Sequence, residues 1–196
     1  MRYQGGKSRI AKPIASAIEL RQQSRESNNT LVSLFCGSCS IESKLAPNFD
    51  RVICNDKHKY LIEMFKALQN GYELPEYISE EQYKYIREHK DEDMALTGFV
   101  GFGCSFGGRF FEGYARNKEN TNYALQSKKS VLKDMQTLWN AEFTCLDYRD
   151  VIIPKDSVVY ADPPYNNTKP INRESFNTQE SVSYTHLRAH ETAANL

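Results

Sequence analysis

The chain has 196 residues, 40% of them apolar, and its 25 lysines and arginines are balanced by 25 acids. That length fits one domain, with or without a small insertion, and the apolar content suffices for a core. No apolar run reaches the roughly 20 residues of a membrane span, and Met1-Arg2-Tyr3-Gln4 does not open a signal peptide. No membrane partner and a cytoplasmic location are therefore expected. Five cysteines without a secretion signal favour reduced thiols.

Residues 8–21 read as a helix with Ile10, Ile14, Ala17 and Ile18 on one face. Leu31 to Phe35 is a short apolar run ending in Cys36-Gly37-Ser38, the pattern of a buried strand and a tight turn. Arg51 to Cys54 is a second strand candidate. Leu61, Phe65 and Leu68 follow at helical spacing, with Gly71 as a stop. Ser79 and Gln82 form a capping-box signature for a helix reaching about Lys90. Val131, Leu132, Met135, Leu138 and Trp139 mark another amphipathic helix, and Phe143–Leu146 and Ser157–Tyr160 read as two more buried strands. Strands alternating with helices predict an α/β fold with a mostly parallel sheet. The stretch 74–126 breaks that rhythm and reads as an inserted helical or loop-rich subdomain between 1–73 and 127–180.

Charge is unevenly spread. Glu73–Asp93 holds eight acids and three bases, whereas Arg109–Asp134 holds six bases and three acids. The second stretch also carries Phe110, Phe111, Tyr114 and Tyr123. Bases interleaved with aromatics suit phosphate contact and base stacking.

The strongest motif is Asp162-Pro163-Pro164-Tyr165, directly after the strand candidate at 157–160. Ligands of open α/β sheets bind at the carboxyl ends of strands. Two prolines fix φ, restrict their neighbours and remove backbone donors, leaving a rigid cluster of acceptors beside an aromatic ring. Such a cluster suits an amino group with two hydrogens to donate. If the Asp162 carboxylate takes one N–H of an adenine amine and the Pro163 carbonyl the other, the nitrogen lone pair is freed for attack. Tyr165 can stack on the base. The enzyme's contribution is then positioning and charge placement on a base extruded from the duplex.

On these residues the chain resembles the Dam-type (phage-like) DNA adenine N6-methyltransferases. Asp162 to Tyr165 is similar to the signature of amino methyltransferases. Arg2-Tyr3-Gln4-Gly5-Gly6-Lys7 resembles the family's N-terminal aromatic-x-Gly-Gly-Lys element, and Leu34 to Ser40 resembles its cofactor loop. Asn55-Asp56 and Leu146-Asp147-Tyr148 resemble the acidic ends of its second and third strands, and Gly101 to Gly108 resembles an insertion of phage members. The resemblance covers about residues 1 to 180 in the family's order. It implies a Rossmann-like methyltransferase sheet, S-adenosyl-L-methionine as cofactor, double-stranded DNA as substrate, a monomer, and a restriction–modification or phage setting. It also implies catalytic roles for Asp162, Pro163, Pro164 and Tyr165, and cofactor binding by Tyr3, Lys7, Phe35, Gly37, Ser38, Asp56, Asp147 and Asp162. The insertion 74–126 becomes a target-recognition subdomain contacting DNA through Arg109 and Arg116.

The physics agrees position by position. Gly37 lets the backbone turn sharply against a ligand. An acid ending strand two can accept both ribose hydroxyls of an adenosyl group, and Asp147 can accept from its adenine amine. Lys7 on a glycine-rich loop can meet a carboxylate or a phosphate. Three other readings compete. Gly6-Lys7-Ser8 ends like a P-loop, but Met1 stands where its first glycine belongs. Cys36-Gly37-Ser38-Cys39 follows a strand as a thioredoxin-like redox pair does, yet that leaves Arg2–Lys7 and Asp162–Tyr165 unexplained. A single Cys-x-x-Cys pair, or His186 with His190, lacks the remaining ligands of a zinc site.

A complete enzyme of this family resembles a seven-stranded sheet, and only about four strands are legible before Tyr160. The expectation is a chain truncated after its catalytic tetrapeptide, either active or an inactive fragment that keeps partial cofactor or DNA binding. The strand at 157–160 is then an aggregation-prone apolar edge. Residues 181–196 change character and resemble translated adaptor read-through, so they are set apart from the fold.

Overall fold

The computed structural model describes residues 1–8, 10–22 and 29–163. Pro164, Tyr165 and the tail 181–196 lie outside the described residues. Four strands form one parallel sheet in the order β3-β2-β1-β4: β1 Thr30–Ser33, β2 Arg51–Asn55, β3 Glu142–Thr144 and β4 Val158–Tyr160. Val32 of β1 pairs with Ile53 on one side and Val159 on the other, and Cys54 pairs with Phe143. Around the sheet run α1 Ala11–Gln22, α2 Glu42–Leu45, α3 Lys59–Gln69, α4 Glu80–Glu88, α5 Met94–Gly103 and α6 Tyr123–Leu138.

The two-residue period of a strand sorts the central side chains onto opposite faces. Leu31, Val52 and Cys54 join a large cluster with α3, α5 and α6. Val32, Leu34 and Ile53 join a smaller one with Tyr148 and Val151. Both faces of β1 are thus buried, which is why its sequence reads as an apolar run rather than an alternation. The helix after β2 buries Leu61, Ile62, Met64, Phe65 and Leu68, and Phe65 stacks on Phe143 of β3 with centroids 5.0 Å apart. Gly71 follows with φ +82°, a left-handed position that glycine adopts at least cost. The capping box at Ser79 and Gln82 is present, although its helix ends at Glu88, two residues early.

Several expectations need correction. In α1 Ile14 and Ile18 pack against the core as expected, but Ile10 and Ala17 are exposed and the fully buried positions are Ala11 and Ala15. In α6 the stripe is Ala124, Ser127, Val131, Met135 and Leu138, and Leu132 and Trp139 face solvent. A compact core selects the stripe that a neighbouring element can cover, and hydrophobicity alone cannot rank two adjacent stripes.

The stretch 74–126 contains α4 and α5, and its Leu74, Ile78, Tyr83, Ile86, Phe99 and Phe102 belong to the same cluster as the sheet. Three glycines make α5 a weak helix former and a close-packing one. A Cβ on Gly98 falls 2.1 Å from the Tyr60 carbonyl oxygen, at the first turn of α3. At the other end of the sheet β4 forms an edge among the described strands, with Val159 38% exposed.

Gly98→Ala should push α5 off α3 and destabilise the fold by about 3 kcal/mol, measured as a lowered urea midpoint. An unchanged midpoint would mean that the two helices separate freely.

Candidate active site

Reading outward from β1, the strands run to β2 and β3 on one side and jump to β4 on the other. The order in which strands are added switches sides at the parallel β1–β4 pair, and the crevice at the carboxyl ends of such a pair is where open α/β sheets bind ligands. Two loops leave the sheet there. One follows β1 through Phe35, Gly37 and Ser38. The other follows β4 through Asp162 and Pro163. The Leu34 N–H donates to the Tyr160 carbonyl at 3.0 Å, so the two loops start side by side.

The N-terminal segment threads between these loops and the turn after α5. Gly37 has φ +50°, and a Cβ there comes within 2.9 Å of the Tyr3 ring. Gly108 has φ +67°, and a Cβ there comes within 2.7 Å of the Tyr3 nitrogen. The Gln4 N–H donates to the Gly108 carbonyl at 2.9 Å, and Tyr3 packs on Phe102 with centroids 4.9 Å apart. The segment ends at Lys7, whose Nζ donates to Asp162 Oδ2 at 2.5 Å. Burial, and then the nearby carboxylates of Asp56 and Asp162 among other groups, raise the Tyr3 phenol pKa well above its usual value. Its hydroxyl therefore stays protonated beside both acids.

Asp56 ends β2. Its Oδ2 accepts from the Gly37 N–H and its Oδ1 from the His58 N–H, both at 2.9 Å. Burial raises its pKa against these two bonds. Asp147, beyond β3, is engaged on both oxygens by Arg149 at 2.8 and 3.1 Å. That contact holds its pKa down at about 2. Phe35 packs on Tyr148 at 5.3 Å, joining the loop after β1 to the turn after β3. Ser38 is buried, and its hydroxyl shares a hydrogen bond with Ser40.

Three residues escaped the sequence reading. Asn55 is 1% exposed and bridges the ends of β1 and β3 through its amide; a polar residue closing an apolar strand was the available signal. Glu42 is buried beneath the loop after β1, accepts from the Ser33 hydroxyl at 2.6 Å, and has its pKa raised to about 7 by burial. Nothing in its neighbourhood in sequence distinguishes it from a surface acid. Phe106 is 65% exposed at the turn after α5. Its signal was an aromatic followed by Gly107-Gly108, both with positive φ.

The aromatics expected to stack on bases have other employment. Phe111 is buried, Tyr114 donates to the Ile78 carbonyl at 2.6 Å, Phe110 stacks on Tyr60, and Arg2 lies over the Tyr123 ring. They fill the space around α5 because a glycine-rich helix leaves room for rings. Arg109 is half-buried, and Arg116 is exposed but paired with Glu80 at 3.1 Å. Cys36 and Cys39 are buried, with thiol pKa values raised above normal chiefly by that burial. A redox pair needs accessible thiols of lowered pKa, so the thioredoxin-like reading loses its footing.

Glu42 gives a signed pH prediction. Its folded pKa lies above the unfolded value, so its protonated form supports the fold, and that support is lost as pH rises through about 7. Glu42→Gln should be more stable than the parent at pH 8 and indistinguishable from it near pH 4, in paired thermal melts. Equal melts at both pH values would show that the carboxyl titrates normally.

A comparison with known families adds an independent observation. Residues 3–99 and 105–196 match the model of the D12 class N6 adenine-specific DNA methyltransferases. The match includes the segment with Tyr3 and Lys7, the loop after β1, the acids after β2 and β3, and the Asp162 tetrapeptide. The chain belongs to the D12 class N6 adenine-specific DNA methyltransferase family.

Proposed function

We propose that the chain transfers a methyl group from S-adenosyl-L-methionine to the exocyclic amine of adenine in double-stranded DNA. The observation that carries this reading is the convergence of Tyr3, Lys7, Asp56 and Asp162 at the β1–β4 crevice of a chain in this family.

The donor set suits an adenosyl cofactor. Each Asp56 oxygen accepts one backbone N–H and keeps a second lone pair, the capacity that two ribose hydroxyls require. Gly37 and Ser38 bring backbone close to the same place, and Phe35 with Tyr148 offers apolar surface for a purine. Asp147 can accept from the purine amine through lone pairs not used by Arg149. The cofactor supplies an electrophilic methyl group on a sulfonium.

The remaining work belongs to the chain's own residues. Lys7 fixes the Asp162 carboxylate at the crevice through a charge-assisted bond. Asp162 accepts one N–H of the target amine and the Pro163 carbonyl accepts the other, which orients the nitrogen lone pair. Pro164 stiffens that arrangement and Tyr165 stacks on the extruded base; both lie outside the described residues. The DNA-facing part of 74–126 is the turn after α5, where Phe106 and Arg109 flank two glycines beside the N-terminal segment. Arg116 reaches phosphate after exchanging its Glu80 partner.

Labelled methyl transfer to unmethylated duplex DNA, followed by nucleoside analysis, should place the label in N6-methyladenine. Cofactor binding without transfer would instead mark a chain that binds the cofactor but does not catalyse. Asp162→Ala should abolish transfer while cofactor affinity stays within about twofold, because its role falls on the substrate amine. Joint loss of both would make Asp162 a structural residue.

A further inference from the structure

Asn55 is the last residue of β2, and its amide has four hydrogen-bonding positions, two donors and two acceptors. All four are used. Nδ2 donates to the Leu34 carbonyl and the Leu146 carbonyl, both at 3.1 Å. Oδ1 accepts from the Thr144 hydroxyl at 2.9 Å and from the Leu146 N–H at 3.0 Å. The Asn55 backbone carbonyl accepts a further bond, from the Cys36 N–H at 2.8 Å. One buried side chain therefore joins the exit of β1 to the exit of β3, from the strand that lies between them.

The joined points are the roots of two loops. Leu34 immediately precedes Phe35, Gly37 and Ser38. Leu146 immediately precedes Asp147, and Asp56 is the residue after Asn55 itself. Register within a parallel sheet is set by backbone ladders, which end at Ser33 and Thr144. Beyond them, the two loops are tied by the Phe35–Tyr148 ring contact and, at their roots, by the Asn55 amide. An apolar residue of similar size would pack there, but it would leave two carbonyls, an N–H and a hydroxyl to find other partners, and the loops would move to find them.

We infer that Asn55 is a positioning residue for the S-adenosylmethionine site: its amide sets the separation of the loops carrying Phe35, Gly37 and Asp147 on either side of Asp56. This rests on the cofactor reading given above. It predicts an effect on cofactor affinity separable from an effect on stability, because the bonds lie at the last rung of the β2–β3 ladder and at the loop roots beyond it.

Asn55→Asp is nearly isosteric and reverses the two donors. Its carboxylate keeps the bonds from Thr144 and Leu146 N–H but turns lone pairs toward the Leu34 and Leu146 carbonyls. Calorimetric titration of S-adenosylmethionine into the full chain at pH 8 should show affinity weakened by about tenfold, with near-ultraviolet circular dichroism unchanged. A purely structural role would lower the unfolding midpoint without moving the affinity, and a folded variant binding within twofold of the parent at pH 8 overturns the inference. If Asn55→Asp fails to fold, Thr144→Val removes one bond to the same amide and should weaken binding by about threefold; unchanged binding by that variant overturns the inference equally. A parent chain that binds no S-adenosylmethionine overturns the cofactor reading and this inference together, a result distinct from equal binding by parent and variants.

Discussion

The ring of Tyr3 occupies the space between the loop after β1 and the turn after α5, and both neighbours meet it with glycine. Gly37 approaches the ring and Gly108 approaches the backbone, each at a distance that no Cβ tolerates. That three-way contact fixes the path of residues 1–7, and the path delivers Lys7 to Asp162 across 155 positions of sequence. Without the wedge, the carboxylate at the end of β4 would lose its lysine, and the turn carrying Phe106 would lose its anchor at Gln4. The crevice at the end of β4 and the exposed turn after α5 therefore share one support.

Four carboxyl groups at the carboxyl edge of the sheet show how environment divides labour among similar side chains. Asp147 sits against a guanidinium, which keeps it ionised far below neutral pH. Asp56 is held by two backbone amides in partial burial, where desolvation outweighs the bonds. Glu42 is almost wholly buried, and that burial outweighs its bonds from the Ser33 hydroxyl and nearby backbone, raising its pKa to about 7. Asp162 is paired with an ammonium at the mouth of the crevice. These differences follow from partners brought by other elements, since the four residues themselves carry the same functional group.

The region between α3 and α6 combines two roles that are often kept apart. Its helix α5 is packed as core, with Gly98 against the α3 backbone and Phe99 and Phe102 fully buried. Beyond the buried Cys104 and Ser105, Phe106 and Gly107 are exposed, and the turn Phe106–Gly108 is closed by backbone bonds. Tyr83 reinforces that turn by sharing a hydrogen bond with Ser105 at 2.7 Å and accepting from the Gly113 N–H at 3.2 Å. A rigid base beneath an exposed tip costs less ordering entropy on binding than a loose loop does.

The sequence alone determined the alternation of strands and helices, the capping box at Ser79, the stop at Gly71 and the family order of motifs from Tyr3 to Asp162. Each of these rests on local spacing: a two- or 3.6-residue period, a cap four residues long, or a rigid tetrapeptide after a strand. Tertiary structure alone decided that Ala11 and Ala15 are buried while Ile10 and Ala17 are not, that Leu132 and Trp139 face solvent, that Phe111 is core while Phe106 is exposed, and that Lys7 meets Asp162. It also decided that Asn55 and Glu42 are buried and bonded. In every such case the deciding partner lies far away in the chain, and a side chain's burial, partner and charge state belong to the space it shares, which local sequence does not encode.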